Sequence, residues 1–88
     1  MDELRRLYVR IAQSPRTVAF EDLIKLMTLA GFEHRLTRKG DNVLFTHSVY
    51  DVQEAAGKPH HGSVPIHYVR KCLRAIEDVW LKEEKCDA

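Results

Sequence analysis

The order of hydrophobic patterns predicts an α+β domain in which helices cover one face of a small antiparallel sheet. Apolar residues recur at helical spacing in residues 2–13, in residues 20–30 and again after position 65, whereas residues 32–47 alternate with the two-residue period of strands. A chain of 88 residues is long enough for a single domain. We therefore expect one domain, residues 1–88, with the order helix, helix, strand, strand, short strand, helix.

The first helix is predicted over residues 2–13. It should end at Ser14, because the residue before a proline is disfavoured in the helical region and Pro15 has no amide hydrogen to donate. Residues 17–19 then form an extended connector. The residues that share the apolar face of this helix are Leu4, Leu7, Tyr8 and Ile11.

The second helix is predicted over residues 20–30. Glu21 and Asp22 lie in its first turn, where negative charge interacts favourably with the helix dipole. Gly31 directly follows the apolar pattern and is expected to cap the helix in a left-handed conformation.

Two strands and a turn follow. Residues 32–37 alternate between apolar and polar side chains, and residues 39–42 have the composition of a hairpin turn that leads to a strand at residues 43–47. In this second strand, His47 should share a face with Val43 and Phe45. Residues 48–62 lack a consistent period and are expected to form a loop, with a short third strand that begins near residues 49–52.

The last helix is predicted to begin at Pro65, a residue that suits the first turn of a helix. Its charged residues face solvent, and residues 82–88 should fray. The apolar stripe comprises Val69, Cys72, Leu73, Ile76 and Trp80.

Composition excludes the disordered and membrane-spanning classes of protein. Hydrophobic residues make up 44% of the chain and charged residues 31%, and no apolar run approaches the roughly 18 residues that a spanning helix needs. The first six residues include acids and no uninterrupted apolar region, which is unlike a secretory signal. We expect a cytoplasmic protein with no membrane partner.

Charge is unevenly distributed along the chain. The net charge is +1, yet residues 34–74 contain seven Lys and Arg against three acids, and all five histidines. This asymmetry suits a polyanionic partner, although a solvated basic surface has the same pattern.

One stretch resembles a known family. Residues 38–47 read Arg-Lys-Gly-Asp-Asn-Val-Leu-Phe-Thr-His, after a helix that ends in Leu-Ala-Gly-Phe. This resembles the Gly-Ser-His-His-hydrophobic-Phe-x-His strand of HicA toxins, which are ribonucleases of type II toxin-antitoxin modules with a double-stranded-RNA-binding-domain-like fold. The resemblance covers residues 15–82 and is greatest to the branch with an extra N-terminal helix, here residues 1–14. Residues 83–88 would be a frayed tail.

The resemblance implies an mRNA substrate and a cognate antitoxin. Gly40 matches the family's turn glycine, whereas Asn42 stands at the position of its catalytic histidine. A carboxamide does not titrate near neutral pH, so the usual proton transfer is not expected. Asn42 can still donate a hydrogen bond to a phosphate or interact with a 2′-hydroxyl group.

Other histidines offer a second route to catalysis. His47 matches the family's second strand histidine, and His60 and His61 lie in the loop; together they could perform general acid-base cleavage of RNA. The alternative is that His47 is hydrogen-bonded at the edge of the core and that the loop histidines are simply solvated.

Basic residues of the hairpin, the loop and the last helix are predicted to bind RNA, through contacts to phosphates and 2′-hydroxyl groups. A solvated surface is again the alternative. These residues are Arg35, Arg38, Lys39, Lys58, Arg70, Lys71 and Arg74.

Neither a metal nor a cofactor is expected. The spacing of His60, His61, His67 and Cys72 fits no standard zinc pattern, and no glycine-rich phosphate loop occurs. A non-catalytic module that binds a protein partner is the alternative function. In that case, the chain could form a homodimer through the N-terminal helix and the end of the last helix near Trp80.

Overall fold

The computed structural model describes residues 2–37, 40, 42–57, 59 and 62–87, without the side chains of the last two. The element order confirms the predicted α+β fold. Its elements are α1 (Glu3–Gln13), a 3-10 turn (Pro15–Thr17), α2 (Phe20–Leu29), β1 (Phe32–Leu36), β2 (Asn42–His47), β3 (Gln53–Gly57) and α3 (Ile66–Asp87).

The three strands form one antiparallel sheet with β2 in the centre. Val43 and Phe45 of β2 are fully buried beneath the helices, whereas Asn42 and Thr46 are exposed on the other face. This alternation follows from the pleat of a strand and confirms the predicted facing of β2. We call the face that carries Asn42 and Thr46 the outer face of the sheet.

One end of the sheet gathers several chain segments, and we call it the hairpin end. Leu36 and Asn42 bound the β1–β2 hairpin there, and Gly57 pairs with Asn42 in the adjacent strand. The amide of Val64, just before α3, donates to the carbonyl oxygen of Val18, just before α2, at 2.9 Å. Both helices therefore begin at the hairpin end and run in the same direction across the sheet.

The core lies between the sheet and the helices. Leu7 and Ile11 of α1 are buried in the same cluster as the central residues of β2 and α3, so α1 is an integral part of the domain. The largest fully buried side chains of this cluster are Phe45, Leu23, Leu26, Met27 and Ile76.

Several predicted boundaries were wrong. Asn42 is the first residue of β2 rather than part of the turn, and α3 begins at Ile66, directly after Pro65. The third strand begins at Gln53 rather than near residues 49–52, because pairing with β2 holds this weakly patterned segment in the sheet. Thr17 belongs to a 3-10 turn rather than to an extended connector. Helix α3 continues to Asp87 instead of fraying from Lys82, in keeping with the high helix propensity of lysine and glutamate.

No helix in the described part of the chain combines the length and the apolar character that crossing a bilayer requires.

Candidate nucleic-acid interface

Asn42, the residue that the resemblance to HicA toxins aligns with their catalytic histidine, is the first residue of β2. Its side chain is exposed on the outer face of the sheet, at the hairpin end. Gly40 in the preceding turn has φ +74°, a conformation that favours glycine. Arg38, Lys39 and Asp41 lie outside the described residues. The carboxamide of Asn42 is therefore placed where a ligand could reach it.

His47, at the other end of β2, is held by hydrogen bonds to the backbone. Its Nδ1 accepts from the amides of Val49 and Tyr50, each at 3.1 Å, and its Nε2 lies 3.0 Å from the carbonyl oxygen of Ala30. Two N–H donors require a lone pair on Nδ1, and a carbonyl partner requires a proton on Nε2. Both ring nitrogens of His47 are therefore engaged by the backbone.

The sheet also separates His47 from the hairpin end. Asn42 and His47 are five residue steps apart along β2, a span of about 17 Å. His47 packs instead edge-on against the ring of Phe32, with the ring centroids 4.9 Å apart. His60, His61 and Lys58 lie outside the described residues. The geometry of His47 matches the interpretation of a hydrogen-bonded histidine at the edge of the core.

The basic residues of α3 form a continuous exposed stripe. His67, Arg70, Lys71 and Arg74 occupy positions i, i+3, i+4 and i+7, which lie on one face of a helix. We call these four residues the α3 stripe. Within the described residues, no carboxylate lies within 4.0 Å of the charged nitrogens of its three cations.

Three cations of α1 and α2 are paired with neighbouring acids. Arg10 pairs with Asp22 at 3.2 Å and Lys25 with Glu3 at 3.1 Å, and both pairs join α1 to α2. Arg5 lies 3.6 Å from Asp2 within α1. Arg6 of α1 and Lys82 and Lys85 near the end of α3 also lack an acidic partner within 4.0 Å among the described residues. The α3 stripe differs from them in placing three unpaired cations side by side on one helix face.

Arg35 is separated from the α3 stripe. It lies on β1 opposite Leu44, on the outer face of the sheet, whereas α3 packs against the inner face beside β3. The predicted RNA-binding residues that the structure describes therefore form two surfaces, of which the stripe carries three cations and the outer face one.

A shallow groove of about 530 Å³ runs between β3 and α3. Lys71 and Arg74 line it together with the acids Glu54, Glu77 and Asp78, so its charge is mixed. Cys72 lies beneath this region with no exposed surface. Burial, and then the negative charge of Glu54, raise the pKa of its thiol to about 12, which keeps it protonated and unreactive at neutral pH.

Tyr68 is the residue near this site that the sequence reasoning missed. Its ring lies against Gly57 of β3, and its centroid is 4.1 Å from that of the His67 ring and 5.9 Å from Nζ of Lys71. The signal that could have revealed it is an aromatic pair directly before the cations of one helix face.

Comparison with known proteins gives no assignment. The chain matches no protein-family model, no curated protein and no solved structure.

Proposed function

We propose that this chain is a HicA-like RNA-binding protein of a type II toxin-antitoxin module, a toxin or a protein derived from one. Its element order agrees with a double-stranded-RNA-binding-domain-like fold that carries one additional N-terminal helix. The hairpin and the start of α3 lie at the same end of the sheet, so both can contact one ligand.

The observation that carries this proposal is the contrast between paired and unpaired cations. Three of the four cations of α1 and α2 pair with acids, whereas Arg70, Lys71 and Arg74 are all exposed without an acidic partner among the described residues. Positive charges that lie close together on one helix face repel one another, and an anionic ligand that binds them removes this repulsion. The phosphates of RNA provide such a partner.

We propose binding without the family's cleavage chemistry. Asn42 cannot exchange a proton near neutral pH, and both ring nitrogens of His47 are engaged by the backbone. The role that remains for Asn42 is to hydrogen-bond a phosphate or a 2′-hydroxyl group of the bound RNA.

In this proposal, the antitoxin acts by covering the RNA-binding surface. A partner with an acidic segment would neutralise the α3 stripe and block the hairpin end at the same time. Both proteins would then meet in the cytoplasm, where the RNA is found.

The experiment compares RNA binding by the wild type and two charge-matched double variants at several salt concentrations. Arg70→Ala with Arg74→Ala removes two uncompensated cations, and Arg10→Ala with Lys25→Ala removes two that are paired with acids. We expect the first variant to flatten the slope of log K against log salt by about two units, and the second to leave the slope unchanged.

The same RNA reports on cleavage. The wild type should leave labelled RNA intact. The variant Asn42→His restores a titratable group at the position of the HicA catalytic histidine and should cleave the RNA.

In the binding experiment, equal salt slopes for the two double variants would refute the role of the α3 stripe. No RNA binding by the wild type would instead favour a protein-interaction module.

A further inference from the structure

An aromatic pair lies at the start of the α3 stripe, in contact with the edge of the sheet. His67 is exposed, and its ring centroid is 4.1 Å from that of the Tyr68 ring at an interplanar angle of 40°. The Tyr68 ring is itself only partly exposed and packs against the core cluster. The exposed histidine ring therefore has a fixed aromatic neighbour rather than solvent behind it.

Gly57 makes this arrangement possible. A Cβ atom at this position of β3 would lie 2.8 Å from Cε2 of Tyr68, closer than such atoms can approach. The absence of a side chain lets the tyrosine ring lie directly on the strand. Since β3 holds Tyr68 and Tyr68 supports His67, the aromatic surface is positioned before any ligand binds.

Three cations continue from this aromatic surface along the same face of α3. Arg70, Lys71 and Arg74 follow His67 within seven residues, a distance of about 10 Å along the helix axis. The next charged residues of α3, Glu77 and Asp78, are acidic, so the row of positive charge ends at Arg74. The stripe thus has room for roughly three stacked nucleotides of one strand.

An exposed ring next to a short row of cations suits a ligand that combines a planar ring with phosphates. An unpaired base has a free face that can stack on an aromatic side chain. A base inside a duplex has both faces covered by its neighbours and cannot do so. The outer face of the sheet bears no aromatic side chain on β1, β2 or β3, so it offers no competing stacking surface.

We propose that His67, supported by Tyr68, stacks on an unpaired base while Arg70, Lys71 and Arg74 bind the adjoining phosphates, so that the protein selects single-stranded over duplex RNA. This inference rests on the proposed function, since it specifies the class of RNA that the same surface binds.

The test measures the affinities of a labelled ten-nucleotide RNA as a single strand and as a duplex with its complement. His67→Ala removes the stacking ring, His67→Phe keeps a ring, and His34→Ala is the matched control, an exposed histidine on β1. We expect the wild type to prefer the single strand by about fivefold or more, and His67→Ala to lose this preference by weakening single-strand binding only. His67→Phe should retain a preference for the single strand because it keeps a stacking ring, and the control His34→Ala should behave like the wild type.

A second variant addresses the support of the ring. Tyr68→Leu fills the space beside Gly57 without an aromatic face, and it should reduce single-strand affinity while its circular-dichroism spectrum stays that of the wild type. Equal affinities of the wild type for single strand and duplex, or an unchanged preference in His67→Ala, would overturn this inference and leave the proposed function intact. Failure of the wild type to bind either RNA would overturn both.

Discussion

Gly31 and His47 act together at the junction of α2, β1 and β2. Gly31 has φ +96°, and its carbonyl oxygen accepts hydrogen bonds from both the amide and the hydroxyl group of Ser48 at 3.1 Å. His47 binds the adjacent carbonyl oxygen of Ala30 and the amides of the following turn. The histidine thereby joins the end of α2, 17 residues away in sequence, to the end of β2 and the turn that follows it, which gives it a structural role.

Gly31→Ala tests this junction. A Cβ at position 31 would lie 2.7 Å from Nε2 of His47, in addition to the unfavourable positive φ. We expect Gly31→Ala to lower the free energy of unfolding by about 2–4 kcal/mol, as measured by urea denaturation. The control is Gly40→Ala, where φ is +74° and no atom of the other described residues lies within 4 Å of the added Cβ, with an expected loss of about 1–2 kcal/mol. Equal losses in the two variants would show that contact with His47 is unimportant.

At the scale of elements, α1 is attached to the rest of the domain chiefly by packing. Its ion pairs with α2 are exposed, and such pairs contribute about 0–1 kcal/mol each. Tyr8 makes the closer connection to α3: its hydroxyl group donates a hydrogen bond to Glu77, and its ring centroid is 4.9 Å from that of Trp80. The Trp80 surface, a candidate dimer contact in the sequence analysis, is thus used within the chain.

The Tyr8 contact predicts a specific dependence of stability on pH. Burial, followed by the hydrogen bond and the negative charge of Glu77, raises the pKa of Tyr8 from 10.0 to about 12. Because the folded state favours the protonated phenol, this contribution is fully present below pH 10 and is lost as the pH rises toward 12.

The measurement compares urea unfolding of the wild type and Tyr8→Phe from pH 8 to pH 11.5. We expect the free energy of unfolding of the wild type to fall more steeply above pH 10 than that of Tyr8→Phe, because phenylalanine has no proton to lose. Parallel pH profiles would mean that the Tyr8 hydroxyl group does not contribute to holding α1 on α3.

The elements differed in how well the sequence predicted them. Helices α1 and α2 and strands β1 and β2 show clear periodicity and lie close to the predicted positions. Strand β3 contains Gln53, Glu54 and two alanines, so its local pattern is weak, and hydrogen bonds to β2 determine that it is a strand. Hydrogen bonds to a neighbouring strand do not require a clear hydrophobic periodicity in the strand itself, so a five-residue segment of this kind is hard to predict.

At the scale of the whole molecule, one core holds all the elements together. Leu7 and Ile11 of α1 are 8% and 3% exposed and lie in the same cluster as Phe45 and Ile76. A chain of this length buries only about 60–65% of its unfolded surface, so each buried side chain is a substantial part of the core. The N-terminal helix is consequently a structural component of the domain and not an appendage.

Deletion of residues 2–13 tests this conclusion. It removes two buried aliphatic side chains and exposes the core surfaces of α2 and α3 that they cover. We expect a loss of about 3 kcal/mol or more in the free energy of unfolding, measured by chemical denaturation with the full chain as reference. An unchanged denaturation midpoint would show that the remaining residues form a complete domain.

The sequence by itself determined the α+β class, the burial pattern of β2 and the set of candidate residues, because these depend on local periodicity and residue type. Tertiary structure decided how those candidates are grouped. It engages both nitrogens of His47 in backbone hydrogen bonds and places Arg35 on the opposite face of the sheet from the α3 stripe. It also brings Tyr68 onto Gly57. These relations depend on strand register and on contacts between residues that are distant in sequence, which no local pattern encodes.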